Sequence, residues 1–252
     1  MRGARCDTGR PSRGLGLTGY GERGTANPSA EGRAPTCRRP TVEGMKIAIL
    51  GTGTVGRHLA QGWLRAGHDV VLGSRRPEEA RPRAEGLPVT DLASAVADAP
   101  VVVNATPGTA SVELLTSLGA DALAGKVLLD VAVGFTEGGD LSHLGESLGE
   151  EIQRTFPATR VVKSLCTVDS ELMIAPGSVE GPSTLFVSGD DADAKRTVLG
   201  LLRDLGWPEG SLLDLGGITT ARGQEHYSLL FLAIAKALGS YGFGIQVVRE
   251  RA

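Results

Sequence analysis

A glycine-rich segment near residue 50 has the spacing of a phosphate-binding turn. The segment GTGTVG (51–56) follows the short apolar run KIAIL (46–50) and precedes a stretch with apolar residues at helical spacing. Gly51 permits the tight turn, Gly53 lets the backbone approach a pyrophosphate, and Gly56 lets helix and strand pack closely. The helix amino terminus then faces the phosphates. We expect a dinucleotide to bind at Gly51, Thr52, Gly53, Thr54, Val55 and Gly56.

The end of the next strand indicates which dinucleotide is bound. A binder of NAD usually has an acidic residue there for the ribose 2′-hydroxyl, whereas this chain has GSRR (73–76). The Ser74 hydroxyl can donate to a 2′-phosphate, and the guanidinium of Arg75 or Arg76 can pair with it through two hydrogen bonds. The pattern therefore predicts NADP as the cofactor.

A third segment, NATPG (104–108), follows a fully apolar strand. It lies where a dinucleotide crosses the carboxyl edge of a parallel sheet. We therefore expect Ala105, Thr106 and Pro107 to line the cofactor.

Few side chains suggest nucleophilic or acid–base chemistry. Cys166 has no histidine near it in sequence, so a small buried hydrophobe is favoured over a nucleophile. A dehydrogenase of hydroxy acids or imines would need a lysine or histidine facing the nicotinamide, and only Lys163 and Lys236 are placed for this. We expect Lys163 to be a strand-end charge and Lys236 to extend from the end of a buried helix into solvent. No catalytic residue is therefore predicted.

Cysteines and histidines show no metal-binding spacing. Cys6 and Cys37 lie far from Cys166 in the sequence, so neither a disulfide framework nor a metal site is expected. Three histidines fall on predicted helix faces or turns without partners and are interpreted as structural, namely His58, His68 and His143. His226, beside Glu225, is less clearly structural.

The order of the elements predicts the fold class. Apolar strands alternate with helices as far as about residue 160, which is typical of a doubly wound parallel sheet of the Rossmann type in the α/β class. The less regular remainder predicts a small carboxyl-terminal α/β domain. We expect an NADP-binding domain over 45–160 and a substrate and dimerisation domain over 161–252. The last helix, 221–238, is apolar nearly all round beyond Ser228 and is expected to be buried.

The first 44 residues differ in composition from the rest. They hold eight Arg, four acidic residues and nine Gly, which predicts a disordered tail, and a misassigned start with Met45 as the natural first residue would explain it. Without these residues the net charge changes from −3 to −7. An acidic domain argues against nucleic acid as a partner. No apolar run is long enough to span a bilayer, and the cysteine usage fits a cytoplasmic location.

With these motifs, the sequence resembles the NADP-dependent reductases of coenzyme F-420, an 8-hydroxy-5-deazaflavin hydride carrier. The resemblance runs from Met45 to about Val248 and rests on four segments. These are MKIAILGTGTVG, GSRR, the acidic SGDDADAK before a helix, and LLDLGGITTARGQE (212–225). Relatives without the deazaflavin include cytoplasmic ferric-reductase domains.

The resemblance implies a second substrate and a homodimer. It places a flavin-like small-molecule acceptor against the nicotinamide, near the strand ends DVAV and KSLCTV, with Ala132 and Val133 beside the cofactor. The acceptor ring is then expected to border Cys166, Thr167 and Val168. Direct hydride transfer needs proximity and a dry cleft more than a general base. A ferric or flavin reductase and a non-enzymatic NADPH sensor remain alternatives.

Overall fold

The computed structural model describes residues 44–250, and the predicted tail lies outside these residues. Eight strands form one sheet: β1 (Lys46–Leu50), β2 (Asp69–Ser74), β3 (Val89–Asp91), β4 (Val101–Asn104), β5 (Val127–Asp130), β6 (Arg160–Ser164), β7 (Leu185–Gly189) and β8 (Leu212–Asp214). Their order is β3-β2-β1-β4-β5-β6-β7-β8. All neighbours are parallel except β6 and β7, which are antiparallel. The predicted α/β class and Rossmann-type sheet are confirmed.

The helices connect these strands and cover the sheet. They are α1 (Thr54–Arg65), α2 (Pro77–Ala80), α3 (Leu92–Ala97), α4 (Gly108–Leu118), α5 (Ala120–Leu123), α6 (Leu148–Thr155), α7 (Ser170–Ile174), α8 (Ala192–Asp204) and α9 (Ala221–Leu238). Between residues 44 and 250, no helix is both long and apolar enough to cross a bilayer.

The core consists of two apolar layers, one on each face of the sheet. In β1, Ile47 and Ile49 belong to one layer, whereas Ala48 and Leu50 belong to the other, because successive side chains of a strand point to opposite faces. The chain order places β2 on one side of β1 and β4 on the other. The strand order therefore reverses at β1, and such a switch point leaves a crevice at the carboxyl ends of the strands.

The sheet continues across residue 160, the predicted domain boundary. β6 begins at this residue and pairs with β5. One core layer also joins the two parts of the chain, since it contains both Trp63 of α1 and Leu201 of α8. The indole N–H of Trp63 donates to the Leu201 carbonyl oxygen at 3.0 Å. The division into an NADP-binding and a substrate domain stays a prediction.

The last helix has the predicted bounds, but the prediction that it is buried was wrong for much of its surface. Its first half carries the buried residues Gln224, Glu225 and Ser228. Beyond Ser228, leucines are exposed to between 40% and 62%, namely Leu229, Leu230, Leu232 and Leu238. The helix therefore presents an uncovered apolar surface, although the apolar sequence alone suggested a core position.

Candidate functional site

The turn between β1 and α1 requires its glycines for reasons that the geometry makes clear. Gly51 has a φ of +117°, and a Cβ there would lie 2.4 Å from the carbonyl oxygen of Ala105. A Cβ on Gly56 would lie 2.2 Å from the Gly51 carbonyl oxygen. Gly53 is the N-cap residue of α1 and, as a glycine, makes no side-chain hydrogen bond to the helix. A Cβ at this position would have no atom within 4 Å. The amino terminus of α1 therefore offers uncapped N–H groups beside open space, which suits a pyrophosphate.

A groove of about 790 Å³ begins at this turn and follows the carboxyl ends of the central strands. It is lined by most of the predicted cofactor residues, namely Gly51, Thr52, Gly53, Thr54, Val55, Ser74, Arg75, Arg76, Ala105, Thr106 and Pro107. Gly56 does not line the groove and instead allows α1 to pack closely. Four lining residues were not found from the sequence, namely Gly73, Leu92, Ala110 and Leu114. Gly73 is the first residue of the GSRR segment, whereas the other three come from segments that carry no nucleotide-binding pattern and are brought here by the fold.

One end of the groove carries the predicted phosphate-binding cations. Ser74 is the last residue of β2, and its Oγ accepts a hydrogen bond from the Arg76 N–H at 3.1 Å. The Arg76 guanidinium lies 3.4 Å from Glu79, whereas Arg75 has no carboxylate partner within the described part of the chain. Both arginines are exposed. Arg75 is therefore the better placed to bind a 2′-phosphate.

The loop after β4 is fixed by buried hydrogen bonds. The Asn104 side-chain amide donates to Asp130 Oδ1 at 2.8 Å and to Ser111 Oγ at 3.0 Å. The Thr106 hydroxyl donates to Asn104 Oδ1 at 2.6 Å. Because these groups satisfy one another, Thr106 is held rigidly where the groove continues beyond β4.

A second cavity of about 300 Å³ adjoins the groove, and the two share Val55, Ala105 and Thr106. Cys166 and Val168, which were predicted to border the acceptor, line this cavity, and so do Ala132 and Val133, which were predicted to lie beside the cofactor. Thr167 does not line the cavity and is 2% exposed. That Thr167 borders an acceptor stays a prediction. The cavity is completed by residues that sequence reasoning missed, namely Val131, Phe135, Met173, Ser228, Phe231 and Leu232.

Ionisable side chains are scarce along both cavities. Among the lining residues only Arg75, Arg76 and Cys166 can titrate. Burial raises the pKa of the Cys166 thiol to about 12, so the thiol stays protonated near neutral pH. Its Sγ lies 3.9 Å from Gln224 Oε1. A protonated thiol is a poor nucleophile, which favours the prediction that Cys166 does not act as one.

The interpretation of Lys163 as a strand-end charge was wrong. Its side chain is completely buried, and its Nζ lies 2.8 Å from both Asp130 Oδ2 and Glu225 Oε1. The countercharges of the Lys163 ammonium are two carboxylates, one at the end of β5 and one in α9. Neither is near Lys163 in the sequence. Lys236 is exposed near the end of α9, as expected for a lysine that extends into solvent.

Two histidines were wrongly expected to lack partners. His68 accepts a hydrogen bond from the Met45 N–H at 3.2 Å, and its other ring nitrogen lies 3.2 Å from Asp204 Oδ2. His143 Nε2 lies 2.6 Å from Glu151 Oε2. Within residues 44–250, the only hydrogen-bond partner of the His226 ring is the Arg222 carbonyl oxygen. None of these rings lines either cavity, so they remain structural.

The fold, the uncapped helix terminus and the basic end of the groove define a Rossmann-type NADP-binding protein. Residues 46–134 match the model of a family described as NADP oxidoreductase, coenzyme F-420-dependent. A solved structure from Arthrobacter sp. FB24, provisionally described as an F-420-dependent NADP-reductase, is 41% identical with a TM-score of 0.76. The match covers 82% of this chain and 100% of the other. The chain belongs to this family and is an NADP-dependent oxidoreductase.

Two other similarities extend this comparison. Metalloreductase STEAP3 of Rattus norvegicus is 33% identical over 190 residues, which are 75% of this chain but 38% of STEAP3. The chain thus spans about two fifths of the length of that relative. A reductive aminase from Aspergillus terreus, solved with NADPH and ethyl-5-oxohexanoate, is 21% identical with a TM-score of 0.57, covering 78% of this chain and 63% of its own. The latter likeness shows the fold alone.

Proposed function

We propose that this NADP-dependent oxidoreductase transfers a hydride between NADP(H) and coenzyme F-420 or a similar flavin-like acceptor. The observation that carries the proposal is the junction of two cavities at Val55, Ala105 and Thr106. The larger groove has the glycine turn and cations that a dinucleotide phosphate needs, and the smaller cavity has largely apolar walls. A nicotinamide at the junction would therefore face a flat ring in the second cavity.

The residues of both cavities fit these groups. The open space at Gly53 leaves room for a pyrophosphate, as a side chain there would not. In the second cavity, the buried hydroxyl of Ser228 has no hydrogen-bond partner among residues 44–250. A buried hydroxyl without a partner is costly, and a polar edge of an acceptor ring would satisfy it.

When bound, NADPH would supply the hydride and the acceptor would receive it. The chain itself binds and orients the two molecules: the α1 terminus holds the phosphates, while Thr106 fixes the loop at the junction. Apolar side chains such as Val168 and Phe231 keep water from the reacting faces. Direct transfer requires close approach rather than a general base, which agrees with cavity walls that offer no carboxylate, histidine or lysine.

A ferric or flavin reductase is the second candidate, and the similarity to a metalloreductase favours it. In the described part of the chain, no group of three or more His, Cys, Asp or Glu residues could hold a metal ion. A hydride carries two electrons and a ferric ion accepts one, so reduction of a ferric chelate by this candidate would use a flavin as the intermediate carrier. The cytoplasmic location stays a prediction.

The choice between these functions can be tested by adding NADPH and one acceptor at a time to the purified protein. We expect NADPH absorbance to fall with F-420, because its ring can accept a hydride directly. Oxidation with FMN or with FMN plus a ferric chelate, but not with F-420, would instead support the second candidate. Tight binding of NADPH without oxidation by any of these acceptors would contradict both and favour a sensor.

We further propose that α9 dimerises with a second copy of the chain. Leu230 and Leu238 are 56% and 62% exposed, and Leu232 borders the second cavity as well as solvent. An isologous contact would cover this surface and close the cavity from outside. Light scattering at micromolar concentration should give twice the 26.1 kDa mass of the chain.

A charge on α9 should abolish this dimer. Leu230→Glu is expected to give a folded monomer with an unchanged circular dichroism spectrum, because the residue is exposed in the single chain. Leu144→Glu is the matched control, since Leu144 is 70% exposed outside α9. A monomeric native protein, or a dimer that Leu230→Glu leaves intact, would exclude this interface.

A further inference from the structure

The Lys163 ammonium uses all three of its donors inside the protein. In addition to Asp130 and Glu225, its Nζ donates to the carbonyl oxygen of Ala132. An ammonium has three N–H donors, so none is left for substrate or water. Burial alone would lower the pKa of Lys163, but the nearby carboxylates of Asp130 and Glu225 outweigh it and raise the pKa. The group therefore stays charged and keeps its three contacts.

These contacts reach three different walls of the second cavity. Ala132, whose carbonyl oxygen accepts from Lys163, lines the wall that follows β5. Cys166 lies three residues after Lys163 and forms the wall that follows β6. Glu225 lies about one helical turn before Ser228, and Ser228 belongs to the wall formed by α9. One buried side chain therefore connects all three walls.

Glu225 also connects α9 to α6. Its carboxylate accepts from the N–H groups of Leu148 at 2.9 Å and Gly149 at 3.2 Å, at the start of α6. A negative charge at a helix amino terminus is favourable. The position of α9 thus depends on a carboxylate that is held between an ammonium and a helix terminus.

Resting on the function proposed above, we propose that Lys163 is a positioning residue, which holds the walls of the acceptor cavity at the spacing that hydride transfer requires. It touches neither cavity and acts through Ala132 and Glu225. A misplacement of about 1 Å can slow a transfer about a hundredfold, so a small movement of α9 would be enough to reduce turnover.

The double variant Lys163→Met/Glu225→Gln tests this role with little change in charge. Native Lys163, Asp130 and Glu225 carry one net negative charge together. In the variant Asp130 loses its countercharge, so burial favours its neutral carboxyl and the net charge changes by one. The amide oxygen introduced by Glu225→Gln can still accept from the start of α6, and Asp130 still accepts from Asn104 on the cofactor side. The connection between the walls is removed, while these hydrogen bonds can remain. Lys195→Met/Asp214→Asn is the matched control, because it removes an ion pair with a 2.9 Å contact that lines neither cavity.

The thiol of Cys166 reports the cavity independently of turnover. Its alkylation is measured at saturating NADPH with iodoacetamide and with a bulky maleimide, and the modified peptide is identified by mass. A change in the thiol pKa would affect both reagents alike, whereas a wider cavity would favour the bulky reagent. The same proteins are assayed for NADPH affinity and for kcat and KM with every acceptor that the native protein reduces.

We expect the double variant to bind NADPH within about twofold of the native protein, while kcat falls about tenfold or more. The maleimide rate relative to that of iodoacetamide should rise about tenfold, and the control should match the native protein. If the double variant does not fold, Glu225→Gln alone, which keeps the Lys163–Asp130 pair and weakens only the contact with α9, should show smaller changes in the same direction. Native-like labelling and turnover in a folded variant would overturn the proposal. A native protein that reduces no acceptor would contradict the proposed function, while the labelling ratio would still decide the role of Lys163.

Discussion

Replacing Arg75 with alanine is expected to weaken NADPH binding about tenfold or more and to leave NADH binding nearly unchanged. Arg75 lines the groove beside Ser74 and has no carboxylate partner within residues 44–250, so its guanidinium is available to a phosphate. Hydrogen bonds to charged groups contribute about 1.5 to 3 kcal/mol, and about 1.4 kcal/mol corresponds to a factor of ten in affinity. NADH lacks the 2′-phosphate, so its affinity should not change. Fluorescence titration with both nucleotides measures the difference.

The matched control for this experiment is Arg81→Ala. Arg81 is also exposed, but it pairs with Glu78 at 2.6 Å and does not line the groove. The Arg81→Ala variant removes the same charge nearby, so any general electrostatic effect on dinucleotide binding appears in both variants. Equal losses for NADPH and NADH with Arg75→Ala, or an equal loss of NADPH affinity with Arg81→Ala, would show that Arg75 does not bind the 2′-phosphate.

The cofactor half of the site could be predicted from the sequence because its determinants are local. Gly51, Gly53 and Gly56 lie within six consecutive residues, and the order of apolar strands fixes which strand ends are neighbours. The groove then follows from the general rule that ligands bind where strand order reverses. Ser74 and Arg75 could be placed for the same reason, since Ser74 ends the adjacent strand and Arg75 directly follows it.

The second cavity, which we propose holds the acceptor, depends on contacts between distant parts of the chain. The burial of Lys163 follows from Asp130 and Glu225, and no local pattern identifies these two as its partners. Ser228 and Phe231 reach the cavity only because α9 packs across the ends of the strands. One local signal was available: Ser147 and Glu150 have the spacing of a capping box, and both of its hydrogen bonds form at the start of α6. That signal would have located the helix that Glu225 contacts.

Replacing Val168 with phenylalanine is expected to reduce turnover about a hundredfold while NADPH still binds. Val168 is 5% exposed and lines the second cavity but not the cofactor groove. Its N–H donates to the Leu165 carbonyl oxygen at 3.3 Å, in a turn where Leu165 has a φ of +66°. This turn fixes where the side chain points. A phenyl ring would occupy part of the 300 Å³ available and push an acceptor away from the nicotinamide.

The larger side chain also has a cost in stability that must be separated from its effect on transfer. Overpacking a core position typically costs about 1–3 kcal/mol, so the melting temperature of Val168→Phe should fall by a few degrees. Val179→Phe is the matched control, because Val179 is partly buried against the same core layer and borders a separate surface pocket of about 500 Å³. Stopped-flow transfer from bound NADPH to any acceptor that the native protein reduces is then compared between the two variants. Of these two valines, only Val168 borders the second cavity. Slow transfer in Val168→Phe alone would therefore place the acceptor ring against this valine. Native rates in Val168→Phe would mean that the ring lies elsewhere.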